Sequence, residues 1–315
     1  MNDVIESAFG IRPGFRAGSV AVVGKPNVGK STLVNALVGH KVSIVSDKPQ
    51  TTRKRVLGVA TTDDWQIVFL DTPGLHKAHH RLGAAINEAA RQSVHGVDAV
   101  LVVVDVSRMP SDEDKEVARM LRQGGFLDAE PKPGTPPLIL CMNKMDKLKP
   151  IDVERNYEAY TTLFPAAASI MTCLTRGQNM DILTGLLVER LPEQGPIWAE
   201  DEYTDQPVRE LAAEIVREKA LKATREEVPH ALATYVDGWE EEARLTRISV
   251  VLLVERDGQK AILIGKGGEM LKKIGSEARP EIEDLVGGKV FLELFVRVRD
   301  DWRGHPATLK ELGFL

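Results

Sequence analysis

The 315-residue chain has little cysteine, no large excess of either charge and no long apolar run. Only Cys141 and Cys173 occur, at a spacing that suits no metal finger, which fits a reducing compartment better than a disulfide-stapled secreted domain. The formal net charge of −5 excludes indiscriminate nucleic-acid binding, because that affinity comes largely from Lys and Arg displacing counterions from phosphates. Any nucleic-acid contact must be local and selective. No apolar stretch approaches the roughly 20 residues that cross a bilayer, and the opening "MNDVIESAFGIRPGFRAG" lacks the basic head and apolar core of a secretory signal. A soluble cytoplasmic protein is expected, with peripheral attachment to the inner membrane left open. No internal repeat is present.

At this length one hydrophobic core is too few, so two domains are expected. From residue 17 to about 190, short β-rich apolar runs ("SVAVVG", "WQIVFLD", "AVLVVVD", "PLILCMN") alternate with helical stretches such as "KSTLVNALVG", "EDKEVARMLRQGG" and "NMDILTGLLVERL". Continuously apolar strands imply a mostly parallel sheet covered on both faces, a doubly wound α/β fold. "LPEQGPIWAEDEYTDQP" then breaks all periodicity, as a linker would. A second, smaller α+β domain is expected after it. Its reading is a long amphipathic helix halted by Pro229, strands near "ALATYVD", "RISVVLLVER" and "KAILIG", helical pieces after Gly268 and a last alternating strand, "KVFLELFVRVRD". The expected division is 1–190, a linker at 191–206, and 207–315.

"GKPNVGKS", Gly24 to Ser31, follows a strand and opens a helix, the setting of a nucleotide phosphate loop. Its glycines let backbone N–H groups curl around an anion, Lys30 offers charge to the terminal phosphates, and Ser31 can hold Mg²⁺. Further along, "LDTPG" ends an apolar strand; Asp71 there suits a carboxylate reaching Mg²⁺ through water, and the Gly74 N–H can sense a γ-phosphate. "CMNKMD" identifies the base. The Asp146 carboxylate accepts from two guanine N–H donors that adenine lacks, so such a site discriminates by about 10⁴. Asn143 would brace the loop and the Lys144 stem would cover the purine. The position that carries a water-orienting glutamine in many GTPases is Leu75, so slow unaided turnover is expected. His76, His79 and His80 read as a solvated loop rather than a general base.

These residues resemble the Era family of GTPases. "GKPNVGKSTLVNALVG", "PQTTR", "DTPGLH" and "NKMD" match its successive motifs over the whole first domain. The resemblance implies GTP and GDP contacts from Gly24, Lys25, Pro26, Asn27, Val28, Gly29, Lys30, Ser31 and Thr32, from Asp71, Thr72, Pro73, Gly74 and Leu75, and from Asn143, Lys144 and Asp146. It implies catalysis through Lys30, Ser31, Thr52, Asp71 and Gly74. Mg²⁺ would be held by Ser31 and Thr52, with Asp71 through water; Thr51 is the alternative to Thr52. Asn27 resembles an asparagine that helps hold K⁺ in related GTPases. The loop that usually reads Ser-Ala behind the guanine is "MTCLTRG" here, placing Thr172, Cys173 and Leu174 at that position.

A second glycine loop, "GKGG" from Gly265 to Gly268, is too short for a nucleotide phosphate loop and lacks its Lys-Ser/Thr pair. It fits the G-x-x-G loop of a KH domain, which clamps about four unpaired nucleotides. The order of elements resembles the type II, bacterial arrangement. Gly267 and Gly268 permit close backbone approach; Ile264, Gly265, Lys266, Lys272 and Lys273 are the accompanying candidate RNA contacts. Ile262, Ile264, Leu271 and Ile274 are candidates for an apolar floor under the bases. Between Arg247 and Glu311 there are 12 Lys plus Arg against 11 Asp plus Glu, so affinity must rest on base edges and stacking more than on counterion release.

An Era-like GTPase domain joined to a C-terminal KH domain implies a GTP-dependent factor that binds small-subunit ribosomal RNA near its 3′ end during ribosome maturation. The small ribosomal subunit would be the partner and the chain a monomer. Alternatives fit less well: a tandem ribosome-assembly GTPase needs two nucleotide loops, and a tRNA-modifying one needs a helical scaffold with a C-terminal cysteine. A lipid- or protein-binding second domain would use helix 207–228, whose balanced charges read more simply as a solvated face.

Overall fold

In the computed structural model, residues 13–48, 51–74, 80–128, 130, 132–225 and 227–315 are described. The described residues fall into two compact units, one drawn from 13–43, 52–74 and 86–205 and the other from 44–48, 51, 80–85 and 206–315.

The first unit is a six-stranded sheet in the order β2-β3-β1-β4-β5-β6. Its strands are β1 (Arg16–Val23), β2 (Val56–Thr61), β3 (Trp65–Asp71), β4 (Ala99–Asp105), β5 (Leu138–Asn143) and β6 (Ala168–Met171). All pairings are parallel except β2 with β3. Alternate residues of β4 serve opposite cores. Val100, Val102 and Val104 pack with Tyr160 and Phe164 on one face; Ala99, Leu101 and Val103 pack with Leu33 and Leu183 on the other. That division explains the continuously apolar strands. The helices are α1 (Lys30–Val38), α2 (Arg81–Gln92), of which residues 86–92 are counted with this unit, α3 (Asp112–Gln123), α4 (Val153–Leu163) and α5 (Met180–Val188). β2 and β6 were not read from the sequence, being short and lacking a distinct pattern.

Of the expected linker 191–206, residues 191–205 are stitched to this unit. Leu191 is buried in the core, Gln66 Oε1 accepts from the Ile197 and Trp198 N–H groups at 2.9 Å each, and the Tyr203 carbonyl accepts from Val59 N–H at 2.9 Å. Backbone hydrogen bonding absorbs a segment that has no periodicity of its own.

The second unit holds a three-stranded sheet, β7 (Ala233–Glu242), β8 (Leu245–Val254) and β9 (Val290–Val298), with β7 antiparallel and β9 parallel to the central β8. One face is covered by α6 (Val208–Ala223), α8 (Asp257–Ile264) and α9 (Glu269–Val286), through Val216, Ala220, Leu263, Ile274 and Ile282. The short α7 (Val228–Ala231) and α10 (Pro306–Glu311) complete the unit.

Three expectations need correction here. "KAILIG" is not a strand but the end of α8: Gln259 Oε1 accepts from Glu255 N–H at 2.9 Å and Arg256 N–H at 3.1 Å, capping the helix. A short apolar run carries too little periodicity to tell the two apart. The long helix α6 ends at Ala223, not at Pro229, which instead opens α7. Its charged face is solvated only in part, at Arg209, Glu210 and Lys222. Arg217, Glu218 and Lys219 are all buried. Arg217 pairs with Glu214 and donates to the Thr51 carbonyl, Lys219 pairs with Glu281 and Glu218, and Glu218 accepts from Val45 N–H at 3.0 Å. Each buried charge meets an opposite charge or a backbone dipole, as its desolvation requires.

Candidate nucleotide site and second glycine loop

The sheet order brings the C-terminal ends of β1, β3, β4 and β5 to one edge, where an open parallel sheet places its ligand crevice. Four motifs far apart in sequence meet there.

The loop between β1 and α1 turns through unusual backbone conformations, with φ of 152° at Gly24, 62° at Asn27 and 111° at Gly29. Lys30 is buried and closes the loop by donating to the carbonyls of Gly24 at 3.0 Å and Lys25 at 2.9 Å. Burial pulls its ammonium down from 10.5 to about 8, against the opposing charge of Asp71. Pro26 abuts the second motif: a Cβ on Gly74 would lie 2.6 Å from the Pro26 nitrogen, so only glycine allows this approach. Val28 lies in the core. Thr32, in the first turn of α1, is half-buried.

Asp71, Thr72, Pro73 and Gly74 are all buried. Asp71 Oδ2 accepts from Ser43 Oγ at 2.8 Å, whereas Asp71 Oδ1 is buried without a hydrogen-bond partner. Burial raises this carboxyl above its usual range, opposed by Lys30, Ser31 and Ser43. Thr72 Oγ1 is taken up structurally, donating to the Val22 carbonyl at 2.8 Å. Ser31 Oγ and Thr52 Oγ1 lie 2.8 Å apart. Thr51 turns its hydroxyl to the Lys48 carbonyl at 2.7 Å, so of the two threonines Thr52 is the one beside Ser31. Two adjacent hydroxyls and a carboxylate oxygen with an open lone pair fit a hard cation such as Mg²⁺, which favours oxygen ligands. Leu75, His76 and His79 lie outside the described residues; His80 is exposed.

The base motif is braced as well as exposed. Asn143 Nδ2 donates to the Val28 carbonyl at 2.8 Å, and its Oδ1 accepts from Leu174 N–H at 3.3 Å. Lys144 Nζ donates to the Asn27 carbonyl and to Asp105 Oδ2, both at 2.7 Å. Asp105 was not singled out from the sequence; its position at the end of β4, level with the other motifs, is the signal that could have found it. Burial opposes its ionisation, but Lys144 and Ser107 outweigh that and hold its carboxyl low. Asp146 sits exposed on the turn Met145–Lys147, tied by Met145 N–H to the Thr172 carbonyl at 3.1 Å. Thr172 and Cys173 are buried and their loop is held by backbone bonds; Thr172 Oγ1 meets Cys141 Sγ at 3.3 Å. The exchange of Ser-Ala for Thr-Cys therefore changes inward packing rather than the surface behind Asp146. Burial pushes the Cys141 thiol up to about 12, so it stays protonated.

In the second unit the loop Gly265–Gly268 joins α8 to α9. A Cβ on Gly265 would sit 2.7 Å from Met270 Cβ, whereas Gly267 and Gly268, at φ 61° and 85°, have nothing within 4 Å. The loop's free side therefore faces open space. Lys266, Lys272 and Lys273 are exposed and Ile264 is half-buried. Of the candidate floor residues, Ile262 is exposed and Leu271 half-buried, but Ile274 is wholly buried in the core and unavailable to bases.

Comparison with known proteins agrees with this geometry. The family described as "50S ribosome-binding GTPase" matches residues 19–144, and a "KH domain" family matches residues 227–303. The GTPase Era of Geobacter metallireducens is 44% identical over 303 residues, 95% of this chain and 98% of that protein; that of Heliobacterium modesticaldum is 42% identical over 306 residues, 95% and 97% of the two chains. Two solved structures cover 95% of this chain and 99% of their own at 39% identity. One is a variant of Aquifex aeolicus Era bound to GDP and AlF4⁻, with TM-score 0.86; the other is Era in complex with MgGDPNP and nucleotides 1506–1542 of 16S ribosomal RNA, with TM-score 0.87. A guanine-nucleotide site at the crevice of a doubly wound sheet, a G-x-x-G loop in a KH unit and likeness along nearly the whole length lead to one conclusion: the chain belongs to the Era family of GTPases.

Proposed function

We propose that this GTPase binds small-subunit ribosomal RNA near its 3′ end through its KH unit and assists assembly of the small ribosomal subunit and maturation of its RNA. The observation that carries the reading is the pairing, in one chain, of a guanine site with a glycine loop open on its outer side. The complex of a relative with nucleotides 1506–1542 of 16S ribosomal RNA supports it.

In the proposed cycle, backbone N–H groups between Gly24 and Thr32, other than at Pro26, hold the β- and γ-phosphates, with Lys30 turned towards them, while Asp146 reads the base. Ser31 and Thr52 would bind Mg²⁺ directly and Asp71 through water. Bound there, Mg²⁺ supplies positive charge against the phosphate oxygens. The Gly74 N–H would sense the γ-phosphate. Residues 44–51, which run directly into Thr52, are counted with the second unit; covalent continuity gives the nucleotide state a route to the RNA-binding half. GTP would order the segment around Thr52 and hydrolysis would release it. Asn27 would help hold K⁺, and equal GTPase rates in Na⁺ and K⁺ would remove that element.

We place the protein in the cytoplasm as a monomer. Among the described residues no helix is long and apolar enough to cross a membrane; peripheral attachment to the inner membrane is tested by fractionation, and the monomer by sedimentation. The test of the function is crosslinking in cells followed by RNA sequencing. Reads should concentrate at the 3′ end of small-subunit ribosomal RNA and be lost with Gly267→Asp, which puts negative charge where phosphate must approach. Reads spread evenly over cellular RNA would contradict the reading.

A further inference from the structure

Lys25 lies within the phosphate-loop sequence, yet its side chain points out of the cradle. Its Nζ donates to Asp114 Oδ2 at 2.6 Å and to Ser111 Oγ at 3.0 Å. The ion pair is sheltered, with side chains 14% and 1% exposed. The same carboxylate oxygen accepts from Ser111 N–H and Ser111 Oγ, each at 2.8 Å, at the start of α3. Asp114 Oδ1 is buried with no hydrogen-bond partner. A helix that carries no guanine motif thus grips the phosphate loop.

We propose that Lys25 and Asp114 are a positioning pair that fixes the first half of the phosphate loop, and that Lys25 is not itself a phosphate ligand. The strained loop needs anchors from outside itself. Its second half has two, Asn143 on the Val28 carbonyl and Lys144 on the Asn27 carbonyl. The first half is bonded by Lys30, whose protons must be shared with the phosphates once nucleotide arrives. The Lys25 tether does not compete with nucleotide, because its ammonium is engaged by Asp114 and Ser111. It also neutralises a sheltered carboxylate beside a loop that must receive a polyanion. Removing the ammonium alone therefore does double harm, since it frees the loop and strands a negative charge.

The inference rests on the guanine-nucleotide site, and the unaltered chain's own nucleotide binding is the control for that site. The experiment measures release of a fluorescent GDP analogue from the full chain and from Lys25→Met, Asp114→Asn and the double variant, with melting temperatures for each. An asparagine at 114 still accepts from Ser111 N–H, so α3 keeps its cap. Lys25→Met should speed release about 10-fold or more and Asp114→Asn by less, and the double variant should release no faster than Lys25→Met alone, because the tether stays lost while the stranded charge is gone, a non-additive result expected for directly coupled neighbours. Lys25→Arg should release near the unaltered rate. Two results would overturn the proposal. If the double variant releases as fast as Lys25→Met while Asp114→Asn is unchanged, Lys25 acts on phosphate directly. If release is unchanged throughout, or tracks melting temperature across all variants, the pair only caps α3.

Discussion

In the proposed reading, guanine selectivity rests on Asp146, whose exposed carboxylate sits on a turn held by the Met145 N–H to the Thr172 carbonyl. Asp146→Asn replaces one acceptor oxygen with a donor that faces the guanine amino group. GDP affinity should fall by about 10² or more, while xanthine nucleotides, which present a carbonyl at that position, should gain; competition with a fluorescent nucleotide measures both. Unchanged preference for guanine would remove Asp146 from the site. In the second unit, burial disfavours the Glu255 carboxylate, but hydrogen bonds and charge from Arg303, with a smaller contribution from His80, hold it below its ordinary 4.5. The folded chain therefore keeps this group ionised more readily than the unfolded chain does. Its contribution is present at neutral pH and is lost as pH falls below 4.5. Glu255→Gln should cost about 1–2 kcal/mol at pH 7 and clearly less at pH 3, read by denaturant unfolding. An equal cost at both would contradict the ion-pair account.

Among the elements, the glycine loop of the second unit separates fold from function most cleanly. Gly265 is hemmed in by Met270, whereas Gly267 and Gly268 face open space. Gly265→Ala should therefore lower the melting temperature, while Gly267→Ala, strained only by its positive φ, should cost about 1 kcal/mol and leave the unit folded. Gly267→Asp should be folded and deficient in RNA binding; a folded Gly267→Asp with full RNA affinity would show that phosphate does not approach this side. This region also marks the limit of what the sequence conveys. Strict alternation made β9 legible, and Val290, Leu292, Leu294 and Val296 do face the core. "KAILIG" was not legible, because a short apolar run carries too little periodicity to tell a strand from the end of a helix. The burial of Arg217, Glu218 and Lys219 was hidden for a different reason: their partners lie far away in sequence at Thr51, Val45 and Glu281. In the nucleotide site, by contrast, the motifs are short and self-contained, so their chemistry could be read directly; the supporting residues Asp105, Asp114 and Ser43 fall between motifs and needed the fold.

For the molecule as a whole, the claim is that two phosphate-reading loops of different design serve one purpose: a nucleotide site that changes with hydrolysis governs a clamp for unpaired RNA. Swinging such a balance from mostly one state to mostly the other takes about 5 kcal/mol of differential binding, within reach of nucleotide and RNA acting together. Because Leu75 stands where many GTPases have a water-orienting glutamine, the switch should persist in its GTP form until a partner intervenes. The most direct test is the affinity of the full chain for a single-stranded oligonucleotide from the 3′ end of small-subunit ribosomal RNA, measured with a non-hydrolysable GTP analogue and with GDP, against a scrambled oligonucleotide. The account predicts tighter binding of the native sequence than of the scrambled one, and tighter binding with the GTP analogue than with GDP. Equal affinity for both oligonucleotides in either nucleotide state would contradict it.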